Sequence, residues 1–247
     1  MSALPAARFR FASLACALCA GLVLPPAGAT QQLRLSVGAA TDYVVYGVSR
    51  TLGDPAGQGE LAVSGERGTS LGLWASTANL TPGPGATSEL GAFLAQRYRL
   101  GLDWALNLRA SKYWYPGDTT GLSYDYAELR AGIAFRDAVQ LTVSYSPDWS
   151  AFTPAYGAAT DRPALWTDLS AAFPLSSRAT VSAGLGYADV SEHIGTGYLY
   201  FSAGFEWRWR SLTFGVSYVG TDGDGTRAFG TSRAGDRLIG SVVWQIR

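Results

Sequence analysis

The order of apolar and polar residues along this chain predicts an all-β fold: a closed antiparallel up-and-down transmembrane β-barrel of 12 strands. Three observations predict it. Apolar and polar side chains alternate with period two through most of the body, the mark of a strand with two unlike faces. The connections between these segments are short and long by turns. Glycine (30 residues) and aromatics (13 %) are plentiful while charged residues are only 15 %, against about 25 % in soluble domains.

The first segment is set apart from the barrel. Arg8 and Arg10, the apolar run 11–24 and the small-residue site Ala27-Gly28-Ala29 predict a secretory signal peptide over 1–29, leaving 30–247 as an outer-membrane barrel. Cys16 and Cys19 both fall in the signal, so the exported chain is expected to carry no disulfide, no thiol-ligated metal and no cofactor. Without Arg8 and Arg10 the chain has 17 basic against 19 acidic residues, a formal charge of −2. Such a balance points away from a nucleic-acid partner. No body segment reaches the roughly 20 apolar residues of a spanning helix.

Twelve strands follow, at 33–48, 56–67, 69–80, 86–98, 100–115, 123–136, 138–149, 163–174, 177–190, 196–209, 211–222 and 234–247. In the fifth, Leu102, Trp104, Leu106 and Leu108 oppose Asp103, Asn107 and Arg109. In the sixth, Ala127, Leu129, Ala131, Ile133 and Phe135 oppose Tyr126, Glu128 and Arg130. Val139, Leu141, Val143 and Tyr145 alternate with Gln140, Thr142 and Ser144 in the seventh. Leu199, Phe201, Ala203, Phe205, Trp207 and Trp209 oppose Tyr198, Tyr200, Ser202, Glu206 and Arg208 in the tenth. The last two repeat the scheme with Leu212, Phe214, Val216 and Tyr218, then Leu238, Val242, Trp244 and Ile246.

Connections after even-numbered strands are tight (Arg67-Gly68, Leu100-Gly101, Arg136-Asp137, 175–177, Trp209-Arg210). Those after odd-numbered strands, and after the eleventh, are longer and rich in Gly, Pro, Asp and Thr. In an up-and-down barrel every second connection lies at one rim, so one rim is tidy and the other elaborate, as in outer-membrane barrels. A soluble sandwich has no reason to sort its connections by parity.

Periodicity leaves open which face meets water. A ring of twelve strands is too wide for its own side chains to fill, so a dry interior would be a void. The charges keep to one register, and a cation on the lipid face near the midplane costs about 2–4 kcal/mol. The apolar set is therefore expected to meet outer-membrane lipid and the polar set a wet lumen. Asp103, Asn107, Arg109, Glu128, Arg130, Glu206 and Arg208 are the lumen-lining candidates, with Arg34, Asp42, Glu60, Glu89, Arg97, Asp168 and Arg237 in the same register. Tyr43, Tyr46, Trp74, Trp104, Tyr113, Trp114, Tyr115, Tyr145, Trp149, Trp207, Trp209, Tyr218 and Trp244 lie towards strand ends, where aromatic girdles form. Trp74 and Trp166 fall in the polar register.

Four local features are weighed for chemistry. His193, the only histidine, with Ser191 nearby would suit a hydrolase, but no G-x-S-x-G context accompanies them, so a solvated loop histidine is expected. Asp222-Gly223-Asp224-Gly225 resembles part of a calcium loop yet lacks the closing acid, and reads as a flexible external loop. Ser146-Pro147-Asp148-Trp149 suits a sugar-stacking rim or a turn with an interfacial Trp. The strand glycines 91, 101, 132, 184, 186, 204, 215 and 240 read as curvature devices.

The segment Thr41–Thr77, TDYVVYGVSRTLGDPAGQGELAVSGERGTSLGLWAST, resembles the opening signature of the TorF-type porin family of proteobacteria. The likeness continues through Tyr113-Trp114-Tyr115-Pro116-Gly117, YDYAEL at 124–129 and Tyr145-Ser146-Pro147-Asp148-Trp149. Tyr46 stands where the family commonly has a basic residue and Arg50 where it commonly has Gln. The resemblance implies an outer-membrane barrel that passes small hydrophilic solutes or ions, with no catalytic residues to carry over. A non-conducting barrel whose external loops bind a partner, and a barrel lipid hydrolase, are the alternatives.

Overall fold

The computed structural model describes residues 32–65, 67–80, 87–117, 123–153 and 157–246. The expected signal peptide, 1–29, lies outside the described residues. Twelve antiparallel strands close into one barrel: β1 (Gln32–Ala40), β4 (Ala56–Ser64), β5 (Thr69–Thr77), β6 (Ser88–Leu100), β7 (Trp104–Trp114), β8 (Tyr126–Phe135), β9 (Val139–Thr153), β10 (Gly157–Pro174), β11 (Ala179–Asp189), β12 (Gly197–Trp209), β13 (Leu212–Thr221) and β14 (Arg237–Ile246). A separate two-stranded hairpin, β2 (Val44–Val45) and β3 (Val48–Ser49), lies between β1 and β4. Each barrel strand pairs with its sequence neighbour, and β1 closes the ring on β14 from Leu35↔Ile246 to Ala40↔Ser241.

Closure pairs the backbone all round the ring, the condition for strands to cross hydrocarbon, and it divides the side chains by parity. Leu71, Leu94, Leu129, Leu141, Leu169, Leu185 and Phe214 are among the large apolar side chains left exposed on the exterior. Their strand neighbours Ser70, Ala95, Glu128, Thr142 and Thr213 are buried inside. The exterior is thus an apolar face of the kind a membrane-spanning barrel turns to hydrocarbon.

The five connections β4–β5, β6–β7, β8–β9, β10–β11 and β12–β13 are tight, all at one rim. Arg136 and Asp137 both take positive φ (52° and 55°) in the β8–β9 turn, the left-handed geometry that matches strand twist in a two-residue hairpin. At the other rim the chain turns through the β2–β3 hairpin and through α1 (Ser191–Ile194), α2 (Gly223–Phe229) and α3 (Thr231–Ala234).

The structure differs from expectation in three places. The first strand stops at Ala40 and not at 48, because the chain then folds inwards. The connection expected at 150–162 is largely strand, since β9 and β10 pair beyond the barrel wall with register shifts around Arg162. The strand glycines do more than bend the sheet, and Gly101 lies in a turn with φ +82°. A Cβ at Gly186 would come within 2.2 Å of the Tyr200 ring, and one at Gly72 within 2.3 Å of Phe93, so these positions clear space for aromatic rings lying across the inner wall.

Leu129 faces outwards near the middle of β8. Leu129→Arg is expected to destabilise the barrel by about 2–4 kcal/mol in lipid vesicles, measured by urea unfolding followed by tryptophan emission, whereas Thr142→Ser on the inner wall should stay within about 0.5 kcal/mol.

Candidate functional site

The segment TDYVVYGVSRT, 41–51, enters the barrel from the elaborate rim as a hairpin with Tyr46-Gly47 at its tip. Both tip residues have positive φ (51° and 79°), as a two-residue turn between Val45 and Val48 requires. Gly47 also has no room for a side chain, because a Cβ would meet Thr221 Cγ2 and Tyr200 Cβ at 2.6 Å. Tyr46 is held in a conformation uncommon for its type, and its contacts show how. Its ring stacks on Trp166 at 4.5 Å and 10°, with Tyr200 edge-on at 5.9 Å. Its hydroxyl donates to Glu128 Oε2 (2.7 Å) and accepts from Arg130 Nη2 (2.8 Å). Its carbonyl accepts from the Tyr198 hydroxyl (2.9 Å).

The base of the hairpin is tied by Asp42. Its Oδ1 accepts from Ser49 Oγ (2.6 Å) and Thr51 Oγ1 (2.8 Å), and its Oδ2 from Arg237 Nη1 (2.5 Å). Between base and tip, Glu89 on the inner wall of β6 is 1 % exposed and accepts three hydrogen bonds, from the Tyr43 hydroxyl (2.9 Å), Trp74 Nε1 (3.0 Å) and the Tyr115 hydroxyl (2.6 Å). Burial, and then the charge of Glu89, pushes the Tyr43 and Tyr115 phenols above their ordinary range, so both stay protonated donors.

Above the hairpin, α2 and α3 form a cover. Asp222 caps α2 by accepting from Asp224 N (3.1 Å) and Gly225 N (3.0 Å), which satisfies donors at the helix start. Phe229 of α2 meets Tyr198 edge-on at 5.5 Å, and Arg233 of α3 donates to the Leu80 carbonyl. One buried apolar cluster joins hairpin, wall and cover, including Tyr43, Tyr46, Trp149, Trp166, Tyr198 and Phe229. Towards the tight rim the inner wall is lined by small polar groups. Ser170 is exposed despite its inward register, and Ser182 and Ser202 are half-buried, so the lumen there admits water. The interior is therefore plugged at one mouth, and towards the other its β10–β12 side meets solvent while Asn107, Glu206 and Thr213 are buried.

Of the lumen-lining candidates, Glu128 and Arg130 meet at the plug tip, joined by a 2.8 Å ion pair, and Arg130 Nε donates to Ser144 Oγ (3.0 Å). Arg109 is inward, lies over the Phe93 ring at 3.8 Å and donates to Ser111 Oγ (3.0 Å). Asn107 sits in the same register on β7, buried. Glu206 is buried and Arg208 half-buried in the inward register of β12, away from the hairpin. Asp103 is in the turn ahead of β7 and not on the spanning wall, where it accepts from Arg136 Nε (3.0 Å). Asp168, also inward, accepts from the Tyr200 hydroxyl at 2.5 Å.

The remaining expectations need correction. Trp104, Trp114, Tyr145, Trp207, Trp209, Tyr218 and Trp244 are exposed on the exterior, but Tyr43, Tyr46, Trp74, Tyr115 and Trp149 are buried inside the mouth and Tyr113 packs against the same cluster. Trp149 is neither interfacial nor a rim stacker; it meets Trp166 edge-on at 5.4 Å. His193 is not solvated: it is buried in α1 against Trp149 at 4.8 Å, with Nε2 at 3.1 Å from the Trp149 carbonyl. Ser191 Oγ donates to Asp189 (2.8 Å) and not to His193. The stretch 222–225 starts a helix instead of a flexible loop, and Asp224 pairs with Arg227 at 2.5 Å.

A family model described as "Bacterial protein of unknown function (Gcw_chp)" matches residues 26–246. No curated protein sequence matches the chain. Among solved structures, the NanC porin superposes with a TM-score of 0.56 at 10 % identity, covering 86 % of this chain and 99 % of that one. The KdgM porin, solved in complex with disordered oligogalacturonate, gives 0.52 at 8 % identity over 87 % of this chain and 100 % of that one. The Pseudomonas putida toluene transporter TodX gives 0.50 at 11 % identity over 87 % and 89 %. At such identities the likeness is one of fold: the chain has the barrel architecture of outer-membrane porins and transporters.

Glu89→Ala leaves three buried donors without their acceptor and is expected to lower stability by about 3 kcal/mol, with Glu89→Gln losing less; urea unfolding in detergent, with proteolysis of 41–55 as the local readout, measures both. Burial, only partly offset by its hydrogen bond to Trp149, holds the His193 imidazole below its ordinary value. Since the unfolded segment binds the proton more readily, α1 packing is complete above about pH 6.5 and weakens as pH falls through the lower folded value. Lower amide protection factors at 192–194, taken relative to the intrinsic exchange rate at each pH, are the expected result on acidification.

Proposed function

The chain belongs to the Gcw_chp family of bacterial proteins, and on that premise we propose that it is an outer-membrane channel for small hydrophilic solutes or ions whose first external loop closes it. One observation carries this reading. The plug is held by groups of the polar inner wall, Glu89, Glu128, Arg130 and Arg237, and solvent reaches part of the wall below it. The seal joins a buried apolar cluster to these polar anchors, and the hairpin that carries it is a separate part of the chain that can leave as a unit.

The porin-like architecture supports the same reading, as does the resemblance of Thr41–Thr77 to the TorF-type porins. Lipid outside and solute inside follow from the parity of the strands. With the hairpin displaced, Glu128 and Arg130 near mid-barrel and Asn107, Arg109, Glu206 and Arg208 along the wall would line the path, Asp103 at its tight-rim exit. Acids and bases are mixed there, so charge selectivity is weak. The closed mouth favours a second reading, a non-conducting barrel whose cover of α2 and α3 binds a partner.

Planar-bilayer recording separates the two. Wild-type protein is expected to show rare or small unitary steps, and a variant with 43–50 replaced by a Gly-Ser linker frequent and larger ones, with Gly47→Ala between them. If the linker variant, folded by circular dichroism, shows no steps at any voltage or salt, the channel reading fails and the barrel stands.

A further inference from the structure

Between the plug hairpin and its cover lies a small cavity of about 20 Å³, partly open to solvent, room for a group the size of a water or a little larger. Its polar lining is unusual for a mouth whose other charges are paired. Arg50 of the hairpin, Arg233 of α3 and Trp149 of β9 all border it, and each is over nine-tenths buried, at 7 %, 5 % and 4 % exposed. Among the described residues Arg50 Nε and Trp149 Nε1 have no hydrogen-bond partner, and no carboxylate lines the cavity.

Other buried arginines are treated differently. Arg130 meets Glu128 and Arg237 meets Asp42 in ion pairs. Among the described residues neither Arg50 nor Arg233 forms one. Glu89 is the acid whose field reaches Arg50, but it lies beyond ion-pair distance and already accepts from Tyr43, Trp74 and Tyr115. Burial, then the like charge of Arg50, draws the Arg233 guanidinium down to about 10, while Tyr115, Tyr126 and Glu89 outweigh burial and raise that of Arg50, so the two cations lie close together and the uncompensated one is Arg233. Buried N–H donors left unmade are costly, those of charged groups most of all.

We propose that this cavity binds the carboxylate of a small soluble solute, with Arg50, Arg233 and Trp149 Nε1 as its donors. Guanidinium groups suit the planar carboxylate, one carboxylate oxygen occupies the cavity, and the rest of the solute extends to the open side. Because Arg50 belongs to the first loop and Arg233 to the last, an occupant ties plug to cover. The proposal deepens the channel reading by naming a solute class, yet binding is an equilibrium property of the closed barrel and is measured without any conduction.

The test uses the full mature chain refolded in detergent, with gluconate as probe and sorbitol as its uncharged counterpart, at fixed ionic strength. Calorimetry should show saturable gluconate binding, and tryptophan emission a raised melting temperature; sorbitol should do neither. Arg50→Gln and Arg233→Gln should each weaken binding about tenfold or more, while Arg162→Gln, on an exposed side chain outside the cavity, leaves it unchanged. Ser150→Asp, placing a carboxylate in the cavity lining, should abolish gluconate binding and raise the melting temperature without ligand, which a misfolded variant would not do. Absence of binding to the wild type, equal binding of sorbitol, or binding undiminished in both arginine variants overturns the proposal, whether or not the linker variant conducts.

Discussion

Everything in this molecule depends on the pairing of its first barrel strand with its last. While β1 and β14 are apart, a twelve-stranded sheet has two open edges and cannot sit in hydrocarbon. Once Leu35 to Ala40 lie against Ser241 to Ile246, every strand has two neighbours and every side chain one of two destinations. The division that follows is clear: the strand leucines go out, with exceptions to the apolar rule such as Val219 and Val243 inside, while serines, threonines and ion pairs go in. It is this enclosed polar wall that makes an inward-folded loop possible, because a hairpin brings backbone and hydroxyl groups that need partners.

The hairpin and the wall satisfy one another. Asp42 holds the base through Ser49, Thr51 and Arg237, Glu89 receives Tyr43, and the Glu128–Arg130 pair clasps the Tyr46 hydroxyl. Gly47 supplies the turn that lets the tip reach so deep. The residues 41–51 that carry the family resemblance are thus the residues that build the seal. Tyr46, one of the departures from that pattern, is the tip itself, stacked on Trp166. Arg50, the other, faces the donor-rich cavity.

Strand order, strand count and the inward register were legible in the sequence, since period two and the parity of connection lengths both report them directly. Strand ends were legible to within a few residues except at 41–48, where alternation of the same kind continues into the hairpin, and at 150–162, where the Gly- and Pro-containing stretch read as a loop and is largely strand. Periodicity records which side of a ribbon a residue takes, not whether that ribbon belongs to the wall. The aromatics were only half legible for a related reason: Trp and Tyr suit a headgroup interface and a hydrogen-bonded interior equally, so Trp149 and Trp209 look alike in sequence and face opposite ways. His193 and Asp222 were misread because their partners, Trp149 and the start of α2, come from tertiary contact and local capping. One signal pointed inwards from the start: Trp74 and Trp166 in the polar register.

The anchors of the plug are far apart in the chain: Tyr43 reaches Glu89, Tyr46 reaches Glu128 and Arg130, and the Tyr198 hydroxyl reaches back to the Tyr46 carbonyl. None of these sites exists as a surface until the strands bearing them share one ring, and closing such long loops is entropically slow. Seating of the hairpin is therefore coupled to closure of the ring: its anchors on β6, β8 and β12 surround it only when all the strands between β1 and β14 are joined.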